Sequence, residues 1–136
     1  MKVFVGENGY TPTRAHATDA GLDLRSPVTI YIPARESRVI DTEVHVELPK
    51  GTAGVLISKS GLNVKNGITS TGLIDEGYTG SIKVKLYNHS TIPYKVIRGH
   101  KISQLVIIPV LYEDVEIVGE LEETERGEKG FGSTGK

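Results

Sequence analysis

The sequence predicts an all-β domain, an antiparallel sandwich or barrel, with one short helix and a flexible C-terminal arm. Short segments rich in Val, Ile, Leu and Tyr recur along the 136 residues, and Gly, Pro, Asn or Asp clusters separate them. No window sustains a 3.6-residue apolar period. The stretch 120–136 is polar and carries Gly127, Gly130, Gly132 and Gly135, a linker-like composition. The length is that of one domain. Residues 1–119 are therefore expected to form the body and residues 120–136 the arm.

Each element has its own local signal. Residues 1–5 form a short apolar strand, and 6–14 are polar and turn-rich. Leu22 and Leu24 share one strand face, which puts Asp23 on the other. Residues 28–32 alternate until Pro33 stops them. Residues 35–48 are β-branched and predict one long or two short strands, and Pro49 and Gly51 turn the chain. Residues 53–57 are apolar on both faces, which predicts a buried strand. Residues 58–67 are the best helix candidate: Ser60 as cap, Leu62 and Val64 as the start of an apolar face, Asn66 and Gly67 as the stop. Residues 68–74 return as a strand. Ile82, Val84 and Leu86 alternate with Lys83, Lys85 and Tyr87, a half-buried strand. A loop over 89–93, a short strand over 94–97 and a turn over 98–100 follow. Residues 101–110 are an apolar strand broken by Ser103 and Gln104, and 112–118 are the last strand candidate.

Composition narrows the function. Sixteen Lys and Arg against seventeen Asp and Glu leave a net charge of -1, with no basic run that would track a nucleic acid. There is no cysteine, which excludes disulfides, thiolate metal sites and a Cys nucleophile and suits a reducing compartment. No apolar run approaches the roughly 20 residues of a membrane helix, and no signal-type start is present. The expectation is a cytoplasmic protein with no membrane or nucleic-acid partner.

Four stretches carry chemistry. In residues 72–80 an apolar run ends at Asp75, and Gly72, Gly77, Gly80 and Tyr78 surround it. This predicts a hairpin with an acid at the end of its first arm, an aromatic ring near its tip, and glycines that let a flat ligand approach the backbone. An ordinary turn, started by Asp and finished by Gly, explains the same residues. Ser58, Lys59, Ser60 and Gly61 lie between a strand and a helix start, an arrangement that binds anions, although Ser60 taken alone reads first as a plain N-cap. Gln104 sits in an apolar strand and needs a partner. In the arm, Phe131 among glycines, with Arg126, Ser133 and Thr134, reads as a segment that stacks on a ring and grips phosphate when it closes over a ligand.

In sequence order, residues 19–24 (DAGLDL), 58–62 (SKSGL), 72–80 (GLIDEGYTG), 99–105 (GHKISQL) and 126–135 (RGEKGFGSTG) together resemble the five motifs of the trimeric all-β deoxyuridine triphosphatase (dUTPase) family, over nearly the whole chain. The resemblance implies a jelly-roll-like β fold and a homotrimer whose active sites are shared between chains. It also implies Mg²⁺-assisted hydrolysis of dUTP to dUMP and pyrophosphate, which keeps uracil out of DNA and supplies dUMP for dTTP synthesis. Asp75 would be the general base that activates water against the α-phosphorus. Tyr78 would pack under the deoxyribose. Thr69, Gly72, Leu73, Ile74 and Lys83 would line the uracil, mostly through backbone. Lys59, Ser60, Gly61 and Gln104 would hold phosphates, and Asp23 would hold a water on the Mg²⁺. Phe131 would close over the base, with Arg126, Gly132, Ser133 and Thr134 on the phosphates.

The chain departs from the family pattern at Lys59 and Lys101, where Arg is usual, at Ser103, where Ala is usual, and at Thr69, where many bacterial members carry Asn. Lysine is a point charge without the bidentate fork of arginine. Three other readings share the fold. A dCTP deaminase would need a Glu where Lys85 stands. A regulatory protein would use the same surface to dock a repressor. An inactive jelly roll would leave Arg126, Phe131 and Ser133 without work.

Overall fold

The computed structural model describes residues 1–135; Lys136, the last residue of the expected arm, lies outside them. The described residues form β1 (Lys2–Val5), β2 (Gly21–Arg25), β3 (Ile30–Ile32), β4 (Ser37–Asp41), β5 (Val44–Glu47), β6 (Thr52–Ile57), α1 (Ser60–Asn66), β7 (Ile68–Thr69), β8 (Thr71–Ile74), β9 (Lys83–Asn88), β10 (Tyr94–Val96) and β11 (Lys101–Pro109). Every pair of strands is antiparallel. The largest sheet runs β2-β11-β6-β8, a second runs β4-β9-β7, and β1-β5 and β10-β3 are two-stranded ribbons. This is the all-β, jelly-roll-like sandwich expected, and its sheets do not close into a barrel.

Alternation decides which faces meet. In β9, Val84 and Leu86 are buried while Lys83, Lys85 and Tyr87 face out. They pack with Leu24, Ile40, Leu56, Ile68, Ile102 and Leu105 in one core. The β-branched stretch 35–48 divides into two strands at Thr42 and Glu43. Glu43 has φ of 56°, and the buried Thr42 hydroxyl donates to the Ile82 carbonyl at 2.7 Å.

Several local expectations change. Ser60 does not cap α1: Lys59 occupies the N-cap without a side-chain bond, and Gly67, with φ of 66°, stops the helix. The helix buries no residue, and Val64 is 84 % exposed, so the expected apolar face reduces to Leu62 against the core. Ser103 and Gln104 do not break β11. Ser103 faces inward, where its hydroxyl bonds the Ile57 carbonyl at 3.1 Å and the Ser70 hydroxyl at 2.8 Å. Residues 112–118 form no strand. Their apolar side chains, Val115 and Ile117 among them, are exposed, because no strand edge of this chain receives them. Among the described residues no helix is long and apolar enough to cross a membrane.

Candidate active site

A bulge in β11 assembles the first half of the site. Lys101 pairs with Arg25, Ser103 with Leu24 and Gln104 with Asp23, so one extra residue is taken up after Lys101. Without that residue Lys101 would share the face of Ser103. With it, Lys101 and Gln104 both share the face of Asp23. Asp23 is 4 % exposed, and the Lys59 ammonium lies 2.5 Å from Oδ1 while the Lys101 ammonium lies 2.6 Å from Oδ2. Burial pushes the Asp23 carboxyl up; hydrogen bonds from Lys101 and Lys59, with their charges, outweigh it and hold the group below the usual carboxylate range. Two ammonium groups on one carboxylate leave a net positive cluster, suited to an anion. Gln104 Nε2 donates to the Ser58 carbonyl at 3.2 Å, and Ser60 and Gly61 stand exposed at the adjoining helix start. Ser58 is structural: its hydroxyl bonds both the N–H and the carbonyl of Ser70.

A metal fits this cluster in one way. Among the described residues no group of three or more His, Cys, Asp or Glu side chains is set as a cage. A hard cation carried on phosphate oxygens needs only one or two protein carboxylates. Asp23 is the acid beside Lys59 and Gln104. With both oxygens already met by ammonium groups, it suits a bond from a metal-bound water better than direct ligation.

The second half of the site lies where a hairpin parts. At its base β7 pairs with β9, Ile68 opposite Asn88 and Thr69 opposite Tyr87. From Ser70 the two arms join different sheets: β8 pairs with β6, and β9 pairs with β4. The expected hairpin is therefore closed at one end and open at the other. Its facing edges, along Thr71–Ile74 and 83–86, have no ladder partner among the described residues. A cavity of about 240 Å³ sits at the open end, lined by Leu73, Ile74, Asp75, Tyr78, Ser81 and Lys83. The Tyr78 N–H closes a turn onto the Asp75 carbonyl at 3.0 Å, and its hydroxyl donates to the Ser81 carbonyl at 3.0 Å. Gly80 gives the Tyr78 ring its place in this turn, since a Cβ there would displace the ring and its hydroxyl. Gly72 also serves packing: a Cβ there would press on Leu56 at 3.0 Å. Thr69 lies at the closed base, where its hydroxyl bonds His89 Nε2 at 2.7 Å.

One chain keeps the two halves apart. Asp23, Gln104, Ile57 and Thr71 form one row across the large sheet, and Asp75 follows four residues beyond Thr71 on its far edge. Strand spacing and rise put Asp75 on the order of 20 Å from Asp23. Arg126, Ser133 and Thr134 line a cavity with Thr124, Glu125 and Lys129, all within the arm. Arg126 Nε donates to the Lys129 carbonyl at 2.8 Å. Phe131 is fully exposed, and Gly132 lies beside it with φ of 92°.

Sequence reasoning assigned no site role to Lys101 or Glu76. The place of Lys101 depends on a bulge that spacing does not reveal. Glu76 accepts bonds from the Gly51 N–H and, at 3.1 Å, the Tyr112 hydroxyl, and so ties the Asp75 turn to the 49–51 turn and to the segment that follows β11. Lys85, where a deaminase would need an acid, lies with its ammonium 5.2 Å from the Tyr87 ring centre.

The dUTPase family model matches residues 7–135. The chain is 45 % identical over 141 residues to the deoxyuridine 5'-triphosphate nucleotidohydrolase of Clostridium novyi, covering 99 % of each. It is similar to the dUTPase of Staphylococcus bacteriophage 80alpha solved with dUPNHPP, at 33 % identity and a TM-score of 0.94, covering 99 % of this chain and 98 % of that one. It also matches a mutant dUTPase from phage phi11 of S. aureus, at 31 % identity and a TM-score of 0.82, covering 90 % and 98 %; that protein coordinates a structural Mg(II) ion.

Proposed function

The chain belongs to the dUTPase family, and from that premise we propose how it hydrolyses dUTP. The observation that carries the reading is the parted hairpin, which offers two unpaired backbone edges beside one carboxylate. Uracil enters between the edges of Thr71–Ile74 and Lys83. Its acceptor–donor–acceptor edge meets backbone groups that would be left unpaired against cytosine. The C5-methyl of thymine is refused for lack of room. Tyr78 packs under the deoxyribose and leaves no space for a 2′-hydroxyl.

Asp75 takes a proton from a water as that water's oxygen bonds to the α-phosphorus. The bond from the α-phosphorus to the bridging oxygen of pyrophosphate breaks, leaving dUMP. General-base action of this kind supplies roughly 10²–10⁴-fold, and positioning and electrostatics must supply most of the rest. Lys59, Ser60, Gly61 and Gln104 hold the phosphate oxygens. Mg²⁺, when bound, would supply charge neutralisation at the phosphates. Asp23 would hold a water of that ion, and each ammonium that Asp23 releases becomes available to phosphate. The arm closes with Phe131 on the base and Arg126, Gly132, Ser133 and Thr134 on the phosphates.

The separation of Asp75 from Asp23 within one chain supports sites shared between chains, with the Asp23 cluster of one facing the parted hairpin of another. The exposed apolar face of the large sheet, with Ile57, Leu73 and Ile108 in the open, supports the same reading. We propose a homotrimer. The phage 80alpha protein is described as controlling transfer of virulence genes; a second reading gives this chain a repressor-like protein partner on the same surface.

A panel of nucleoside triphosphates with Mg²⁺ tests the reaction, with pyrophosphate read against orthophosphate. Pyrophosphate from dUTP alone is expected. Orthophosphate release, or equal turnover of dCTP, would overturn the mechanism.

A further inference from the structure

We propose that Asp41 and His45 are positioning residues for the Tyr78 turn, and that they set how strictly this enzyme separates a deoxyribose from a ribose substrate. The inference rests on the reading of Tyr78 as the surface under the sugar.

Residues 75–81 carry the ring, yet they lie outside any strand and depend on bonds from elsewhere. Besides the Glu76 bonds to Gly51 and Tyr112, two side chains from other strands bond the segment, one on each side of Gly80. His45, on β5, donates from Nδ1 to the Thr79 carbonyl at 2.9 Å. Asp41, at the end of β4, accepts the Ser81 hydroxyl on Oδ1, and the same oxygen accepts the Glu43 N–H at 3.0 Å. The Ser81 carbonyl in turn receives the Tyr78 hydroxyl. The chain of contacts therefore runs from Asp41 through Ser81 to the Tyr78 ring, and from His45 to the residue following Tyr78.

Both anchors are themselves held. The Ser81 hydroxyl and the Glu43 N–H keep the Asp41 carboxyl below the usual range, so it is an anionic acceptor at neutral pH. The Phe4 ring lies tilted against the His45 imidazole, with centroids 5.3 Å apart. Behind Thr79 a cavity of about 290 Å³, lined by Phe4, His45, Val46 and Thr79 among others, gives the turn somewhere to go once released. A turn that shifts moves the ring under the sugar. It leaves Asp23 and Gln104, on β2 and β11 of the large sheet, and Lys59, at the start of α1, where they are.

The test compares kcat/KM for dUTP and for UTP in the full chain with Mg²⁺. Asp41→Ala and His45→Leu are each expected to lower the dUTP-to-UTP ratio about fivefold, the effect of one lost positioning bond. The turnover number on dUTP should stay within about twofold, because Asp75 directly follows β8, whose pairing with β6 holds it independently of Thr79 and Ser81, and the phosphate grip is untouched. His45→Asn, whose amide N–H reaches the position of Nδ1, should restore the ratio, and Asp41→Asn guards against a variant that fails to fold. An unchanged ratio in Asp41→Ala and His45→Leu, or an equal loss on both substrates, would overturn the inference. Tyr78→Ala separates this failure from that of the underlying reading. If it leaves the ratio intact, the sugar role of Tyr78 falls. If it collapses the ratio while the other variants do not, only the positioning role falls.

Discussion

Asp23 and Asp75 are both carboxylates on the outer face of the same sheet, and their surroundings are opposite. Asp23 is buried, and an ammonium lies on each of its oxygens. Asp75 is exposed at the end of β8 and forms no ion pair among the described residues. A carboxylate held by two cations is a poor proton acceptor and a good organiser of charge. A carboxylate standing free in a cavity mouth is able to take a proton from water. The difference agrees with the different work proposed for the two acids, and four changes test it.

Asp75→Asn has the largest expected effect. It should lower kcat by about 10²–10⁴ while nucleotide affinity, read by titration calorimetry with a non-hydrolysable analogue, holds. Near-normal turnover would move the base elsewhere. Removing residues 126–136 should cut kcat/KM by roughly 10–100-fold through lost positioning, with an unchanged melting curve, because the hydrogen bonds of the arm run within the arm. Unchanged kinetics would reject the lid.

Asp23→Ala acts on stability as well as on chemistry. It leaves the Lys59 and Lys101 ammonium groups facing each other without a counter-charge. The cost should be about 1–3 kcal/mol, less than for a fully buried pair because both lysines reach solvent. Thermal or urea unfolding reads it, and a neutral result would show that Asp23 does not organise the cluster. Asp41→Asn has the smallest effect. The native Asp41 carboxyl titrates below its unfolded value, so its contribution is present above about pH 3.9 and fades as pH falls through the lower folded value. The melting-temperature gap between native chain and variant should close on acidification; a gap independent of pH would contradict it.

The two halves of the site were not equally legible in the sequence. Gln104 stood out because a polar side chain in an apolar strand must find a partner, and it finds the Ser58 carbonyl. Asp23 stood out because Leu22 and Leu24 claim the opposite face. Lys101 did not stand out as a site residue, since a bulge reverses its face and strand alternation presumes no bulge. The hairpin over 72–80 was legible as a turn with an acid. Its parting was not, because β6 and β4 compete for the two arms and that competition is tertiary. Residues 112–118 carry strand-forming side chains and still form no strand, as a ladder needs a second edge.

The separation of the two halves makes a mixing experiment the most direct test. Chains carrying Asp75→Asn and chains carrying Gln104→Ala, each inactive alone, are unfolded, mixed in equal amounts and refolded, and chain exchange is verified by native mass spectrometry. If Asp75 of one chain serves phosphates held by another, about one quarter of the sites regain both groups, and activity returns to about that fraction of the unmutated enzyme. If exchanged assemblies stay as inactive as their parents, both halves must act within a single chain, and the shared site is wrong.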